Sequence, residues 1–145
     1  MLREALDHPA LTTDVIVGFP GETAEQFEQT CRVVREIGFS KIHVFPFSAR
    51  RGTTAAGMAD QISRSVKTER SRHLAAIERE LRQQYFTSLV GRRIQVLVEG
   101  PSRESDHRVV GTACRYAPVE LPGDERLVGQ LVDVIPRTAT AERLI

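Results

Sequence analysis

The sequence predicts an α/β segment followed by a small all-β module. Two short apolar runs, residues 15–17 and 42–47, lie on either side of a helical pattern. This order predicts a strand–helix–strand unit with parallel strands. A long helical pattern follows from about residue 63 to about residue 89. After Gly91 the hydrophobic period changes from 3.6 to 2, which indicates strands.

Each element of the strand–helix–strand unit has a local signal. Residues 15–17 are apolar with no polar alternation, which predicts a strand that is buried on both faces. The turn at residues 18–21 ends this strand, because Gly-Phe-Pro-Gly continues neither a strand nor a helix. Thr23 and Gln26 form the pattern of a capping box, and Gly38 stops the helix that begins there.

The long helix and the β-module make up the rest of the chain. We place the domain boundary between residues 90 and 91, since Gly91 ends the helix. The expected strand segments are residues 94–98, 108–121 and 127–135, separated by proline and glycine. A sheet of this size buries enough surface only as a closed or nearly closed barrel. The apolar face of the helix comprises Val66, Leu74, Ile77, Leu81, Tyr85 and Leu89.

Composition limits the class of protein. The chain has 145 residues, 41% of them hydrophobic and 27% charged, in the range of globular domains. No apolar run approaches the ~20 residues of a membrane span. The two cysteines, Cys31 and Cys114, are far apart and fit a reducing compartment. We therefore predict a cytoplasmic protein with no membrane association.

Positive charge is concentrated in the middle of the chain. Residues 61–93 contain eight lysines and arginines against three acidic residues, although the whole chain has a net charge of only +1. Such a stretch is either a solvated helix face or a surface that meets a polyanion.

Four motifs in order resemble one enzyme family. The first two are T-T-D-V-I-V-G-F-P-G-E-T at residues 12–23 and K-I-H-V-F-P-F-S-A-R-R-G-T at residues 41–53. They are followed by V-K-T-E-R-S-R-H-L at residues 66–74 and G-R-R-I-Q-V-L-V-E at residues 91–99. Together they resemble the radical S-adenosylmethionine (SAM) tRNA methylthiotransferases. The amino-acid sequence of the second motif is more similar to the branch of the family that acts on threonylcarbamoyladenosine.

The resemblance implies a fold and a cofactor site. Residues 1–90 would be the last βαβ portion of a partial (β/α)6 radical SAM barrel with a long helix. Residues 91–145 would be a small TRAM β-barrel that binds RNA. The family's cofactors are SAM and [4Fe–4S] clusters. By resemblance, the residues at the SAM pocket are Val17, Gly18, Phe45 and Pro46.

The resemblance also implies tRNA, at its anticodon stem-loop, as the partner. Arginine suits phosphates and stacks on bases, and tyrosine stacks on an unpaired base. The alternative for each arginine is an ordinary solvated side chain. The candidate RNA-binding residues are Arg50, Arg51, Arg92, Arg93, Arg108, Arg115 and Tyr116.

The chemistry of that family requires residues that this sequence lacks. Its radical SAM cluster is held by three closely spaced cysteines, whereas Cys31 and Cys114 are far apart and suit ordinary core positions. We therefore expect no catalytic residue and no metal ligand in this chain, and an N-terminal barrel portion and cluster domain outside it. The chain alone would be inactive. The alternative is a non-catalytic module that binds tRNA through its β-barrel.

Overall fold

The computed structural model of the chain describes residues 5–145 and divides them into two compact units. The first unit is Leu11–Leu81. The second unit consists of residues 5–10 and Arg82–Ile145. The boundary between the two compact units lies within the long helix, between Leu81 and Arg82. The boundary placed from the sequence lies between residues 90 and 91, where the helix ends.

The first unit begins with the strand–helix–strand unit that the sequence predicts. Strand β1 (Thr12–Val17) pairs in parallel with β2 (Lys41–Pro46), and helix α1 (Ala24–Ile37) connects them. Thr23 and Gln26 form the expected capping box. Gly38 ends α1 in the left-handed conformation, at φ 67°.

Helix α2 (Arg64–Leu89) completes the core of the first unit. Both helices pack on one face of the two-stranded sheet, so side chains of β1 alternate between buried and exposed. The expectation that residues 15–17 are buried on both faces is therefore wrong: Ile16 is 56% exposed. The buried residues of this core are Val17, Phe27, Cys31, Val34, Ile42, Leu74, Ile77 and Leu81.

The second unit is built on a curled, antiparallel sheet of four strands, which forms a half-barrel. Its strands are β3 (Ile94–Pro101), β4 (Arg108–Ala113), β5 (Pro118–Pro122) and β6 (Leu131–Val134), in the spatial order β5-β4-β3-β6. The single strand expected at residues 108–121 is two strands. The chain reverses between them because the Tyr116 N–H donates to the Ala113 carbonyl at 2.9 Å.

The C-terminal tail covers the β5 edge of this sheet. The Leu144 N–H donates to the Pro118 carbonyl, and the Glu120 N–H donates to the Leu144 carbonyl, each at 2.9 Å. Ile145 and Thr138 exchange backbone hydrogen bonds, so the tail folds back on the segment that follows β6. Leu144 is fully buried and belongs to the core, together with Phe86, Leu89, Ile94, Val96, Val98, Val109, Ala113, Ala117, Val119 and Leu121.

Candidate functional site

The carboxyl ends of β1 and β2 lie side by side, with Val17 opposite Pro46. Ligands of parallel α/β folds bind at this edge of the sheet. The residue after β1, Gly18, adopts the left-handed conformation at φ 70°. The Phe47 N–H donates to the Val17 carbonyl at 2.8 Å, which extends the pairing by one residue. This edge is the candidate ligand site of the first unit.

The uncovered face of the sheet leads up to this edge and carries two layers of side chains. Ile16 lies opposite Phe45, and these two apolar side chains are 56% and 49% exposed. Asp14 lies opposite His43 in the preceding layer, and both are exposed. The pair of Ile16 and Phe45 offers an apolar surface for a planar group, and the pair of Asp14 and His43 offers polar side chains.

The four predicted pocket residues do not all present side chains at this edge. Phe45 and Pro46 are exposed, whereas the Val17 side chain is fully buried in the core. Gly18 is also buried, beneath the stem of Lys67. Val17 and Gly18 are therefore limited to backbone contacts with a ligand, as the absence of a side chain at Gly18 predicts.

The loop after β2 places Arg50 and Arg51 in solvent. Both side chains are exposed, and no ion pair of either one occurs within residues 5–145. The Thr53 hydroxyl and N–H both donate to the Arg50 carbonyl, at 2.8 and 3.1 Å, which gives the loop a defined turn. Two guanidinium groups are thus presented without a carboxylate partner in this part of the structure.

In the second unit, Asp7 brings two of the predicted arginines together. Its carboxylate lies 2.7 Å from Arg115 Nη2 and 3.7 Å from Arg92 Nη1. The single proton of the Tyr85 hydroxyl is shared between the carbonyls of Arg115 and His8, each 3.2 Å away. Sequence reasoning missed Asp7 and placed Tyr85 only on the apolar face of the helix, since the contacts of both join distant parts of the sequence.

Tyr116 directly follows Arg115 in the sequence, at the turn between β4 and β5. Its side chain is 82% exposed, and its backbone is in the left-handed region at φ 55°. A bulky residue in that region is strained, and such strain is concentrated at functional sites. The ring is therefore held out in solvent by a fixed turn. We refer to Arg92, Arg115 and Tyr116 as the arginine–tyrosine surface.

The other two predicted arginines of this unit are separate from the arginine–tyrosine surface. Arg93 is mostly exposed and pairs with Asp133 at 3.5 Å. Arg108 is largely withdrawn from solvent, because it donates to the Glu120 carbonyl at 3.1 Å and lies 3.4 Å from the Glu120 carboxylate. The structure therefore gives Arg108 an internal electrostatic role in the half-barrel.

The described residues do not fit an iron–sulfur cluster. Residues 5–145 contain no group of three or more His, Cys, Asp or Glu side chains that could hold a metal ion. Cys31 is buried at its expected core position, and burial raises the pKa of its thiol, which disfavours the thiolate form that binds metals. Cys114 is exposed on the half-barrel, so the core position expected for it is wrong. No described helix combines the length and apolar character of a membrane span.

The fold defines a class of protein: an α/β unit followed in sequence by a module built on a curled, four-stranded antiparallel sheet. No protein-family model matches the chain. Several curated proteins, however, are similar to it over nearly its whole length.

These relatives have tRNA methylthiotransferase names. The tRNA-2-methylthio-N(6)-dimethylallyladenosine synthase of Desulfitobacterium hafniense is 40% identical over 140 residues, which are 97% of this chain and 31% of that protein. The synthase of the same name from Methylacidiphilum infernorum is 40% identical over 133 residues, which are 92% of the chain and 28% of that protein. The threonylcarbamoyladenosine tRNA methylthiotransferase of Bacillus subtilis is 39% identical over 135 residues, 92% of the chain and 30% of that protein.

The chain therefore spans about three tenths of the length of these curated relatives. Its homologues at this level of identity are tRNA methylthiotransferases, in agreement with the family expected from the four motifs. Identities of 39% and 40% do not separate the threonylcarbamoyl nucleoside from the dimethylallyl nucleoside.

Proposed function

We propose that this chain is the C-terminal portion of a tRNA methylthiotransferase, which adds a methylthio group to C2 of a modified adenosine next to the anticodon. The observation that carries the proposal is the identity of about 40% over 92–97% of the chain. For the nucleoside we propose N6-threonylcarbamoyladenosine, because the sequence of the second motif resembles that branch of the family. We place the protein in the cytoplasm, where tRNA is modified.

In this proposal, residues 1–90 are the end of a radical SAM domain and residues 91–145 are a TRAM domain. The adenosyl group of SAM would bind at the ends of β1 and β2. Phe45 and Pro46 would contact it with their side chains, and Val17 and Gly18 with their backbone. SAM and a [4Fe–4S] cluster would supply the radical and the methyl group.

The proposed cluster needs ligands from elsewhere. Because residues 5–145 contain no suitable cluster of metal-binding side chains, we propose that further polypeptide supplies them. The chain alone would then be inactive. Its own contributions would be the adenosyl edge and the contacts with tRNA.

The arginine–tyrosine surface is the proposed RNA contact of the second unit. Tyr116 would stack on an unpaired base, and Arg92 and Arg115 would meet the adjacent phosphates. Arg93, and Arg50 and Arg51 in the first unit, would add phosphate contacts. Arg108 is the weakest member of the predicted set, because its partner Glu120 is buried, whereas Asp7, the partner of Arg115, is exposed.

The test is binding of an anticodon stem-loop RNA to the chain at several salt concentrations. Release of counterions from phosphates makes the affinity fall as salt rises, and each lost phosphate contact lowers the slope by about 1. Arg115→Ala should weaken binding and reduce this slope. Tyr116→Ala should weaken binding by about 1–3 kcal/mol with little change in the slope.

Arg126→Ala is the matched control, because it also removes one positive charge from the second unit. Arg126 pairs with Asp124 at 2.6 Å and lies outside the arginine–tyrosine surface. We expect this variant to bind the stem-loop nearly as the unmodified chain does. A salt-independent affinity, or equal losses from Arg115→Ala and Arg126→Ala, would contradict the proposed surface.

The second candidate function is a non-catalytic module that binds tRNA. The observation that favours it is the lack of a metal-binding group within residues 5–145. The two candidates share the RNA-binding result and differ in the rest of the polypeptide. The intact mass of the protein from its native cell separates them: a mass near ~50 kDa fits a complete enzyme of several domains, and a mass matching the 145 residues favours the module.

A further inference from the structure

The edge formed by β1 and β2 is braced by a buried ion pair. The side chains of Glu22 and Arg70 are 14% and 10% exposed, and Arg70 Nη1 pairs with Glu22 Oε2. Arg70 also donates to the main-chain carbonyl of Glu22 at 3.2 Å, and its guanidinium lies 5.3 Å from the centre of the Phe27 ring. A buried ion pair adds little net stability, because desolvation offsets its attraction.

The same carboxylate holds the turn that follows β1. The Gly18 N–H donates to Glu22 Oε2 at 2.6 Å. Glu22 therefore connects the turn to Arg70 of α2, and it fixes the orientation of the first peptide beyond the strand. Gly18 is in the left-handed conformation, so the chain leaves the direction of the strand directly after this peptide.

Lys67 contacts the residues that follow β1 and β2. Its stem occupies the space beside Gly18, where an added Cβ would lie 2.4 Å from Lys67 Cγ. Its ammonium donates to the Phe47 carbonyl at 3.0 Å and lies 5.2 Å from the centre of the Phe47 ring. One side chain of α2 thus contacts the residue after β1 and the residue after β2.

We propose that Glu22, Arg70 and Lys67 are positioning residues that hold the backbone at the ends of β1 and β2 in the geometry that receives the adenosyl group. This inference rests on the proposed function of that edge. The three residues act through Gly18 and Phe47. Loss of any one of them would let the backbone move, and displacements of about 1 Å are costly at a preorganised site.

The experiment is a titration of the isotopically labelled 145-residue chain with SAM, followed by the amide signals of Gly18, Phe45 and Phe47 in NMR spectra. We expect these signals to shift in a saturable way. Glu22→Gln and Arg70→Lys should weaken the affinity for SAM by about tenfold. Lys67→Met keeps the aliphatic stem beside Gly18 and removes only the ammonium. It should also weaken the affinity for SAM, and it tests the same inference if the other two variants fold poorly.

Glu78→Gln is the matched control. Glu78 pairs with Lys41 at 2.9 Å, its side chain is 12% exposed, and Lys41 lies at the opposite end of β2. We expect this variant to lower the thermal midpoint of unfolding, as Glu22→Gln does, and to bind SAM with unchanged affinity.

The SAM titration distinguishes failure of this inference from failure of the proposed adenosyl site. If Glu22→Gln, Arg70→Lys and Lys67→Met lower the thermal midpoint but bind SAM as tightly as the unmodified chain, the three residues have only a structural role and the inference is overturned. If the unmodified chain shows no shift with SAM at these amides, the proposed adenosyl edge itself fails, and the inference fails with it.

Discussion

At the residue scale, Glu120 is the centre of the electrostatic network in the half-barrel. Its side chain is buried, and it accepts hydrogen bonds from the Ser102 hydroxyl at 2.7 Å and from Arg143 at 2.9 Å. The bond from Ser102 makes the largest contribution, and together with Arg143 and Arg108 it holds the pKa of Glu120 below its ordinary value of 4.5. A carboxylate with these partners is charged throughout the physiological pH range.

This direction of shift predicts a pH-dependent contribution to stability. A carboxyl group with a lower pKa in the folded state stabilises the fold above its unfolded pKa, and that contribution is lost as the pH falls through the folded pKa. Glu120→Gln should therefore lower the free energy of unfolding by about 1–3 kcal/mol at neutral pH. Denaturant unfolding should show this difference shrinking as the pH is lowered through and below 4.5.

Glu125→Gln is the control for that prediction, because Glu125 is exposed in a 3₁₀ turn of the same unit. It should change stability little at any pH. A Glu120→Gln penalty that stays constant from neutral to acid pH would mean that the charge of Glu120 does not matter.

Some single residues could be assigned from the sequence, and others could not. Thr23, Gln26 and Gly38 act within a few positions of one another, so local rules predict them. Glu22 and Arg70 are 48 positions apart, and Arg115 and Asp7 are 108 positions apart. Pairs at that separation depend on the tertiary fold, which no local pattern encodes.

At the element scale, the strands show how burial depends on neighbours. An apolar run without alternation predicts two covered faces, yet β1 and β2 have helices on one face only within their unit. Ile16 and Phe45 are consequently exposed. The apolar pattern therefore predicted a second cover that the described residues of this unit do not provide. The same helical period that identified Leu74 and Leu81 missed Phe86, which is 2% exposed in the second unit.

The C-terminal tail is an element that periodicity did not predict, and its contribution can be measured. Leu144 is fully buried in the core of the half-barrel, and its N–H and carbonyl bond to β5. Leu144→Ala should lower the free energy of unfolding by about 2–5 kcal/mol, through lost burial and the cavity left behind. Thermal or urea denaturation of the chain would measure this change.

Ile145→Ala is the natural comparison, since the neighbouring side chain is 41% exposed. It should cost less than about 1 kcal/mol. Equal effects of the two substitutions would mean that the tail does not fill the core as the structure indicates.

At the scale of the whole molecule, residues 5–145 contain no group of side chains that could hold the metal cluster of the proposed chemistry. We predict that anaerobic incubation of the chain with iron and sulfide gives no absorbance of a four-iron cluster. The reason is that Cys31 is a core residue and Cys114 lies on the half-barrel. A full-length relative, such as the Bacillus subtilis enzyme, is the positive control, because the resemblance implies that it carries clusters.

Stable cluster absorbance in the chain itself would contradict this prediction and would require new roles for Cys31 and Cys114. At this scale, the four motifs in order were enough to anticipate the kind of relative, because each is a contiguous stretch of sequence. The specific nucleoside could not be settled in the same way, since the chain is about equally similar to relatives that are named for different ones.

The exposed ring of Tyr116 also makes the chain a convenient optical reporter. The sequence contains no tryptophan and two tyrosines, so its intrinsic ultraviolet fluorescence comes from Tyr85 and Tyr116 alone. Tyr85 is half-buried and engaged through its hydroxyl, whereas Tyr116 is 82% exposed. A water-soluble quencher should therefore act mainly on Tyr116, and any molecule that covers this ring should shield it without the need for an attached dye.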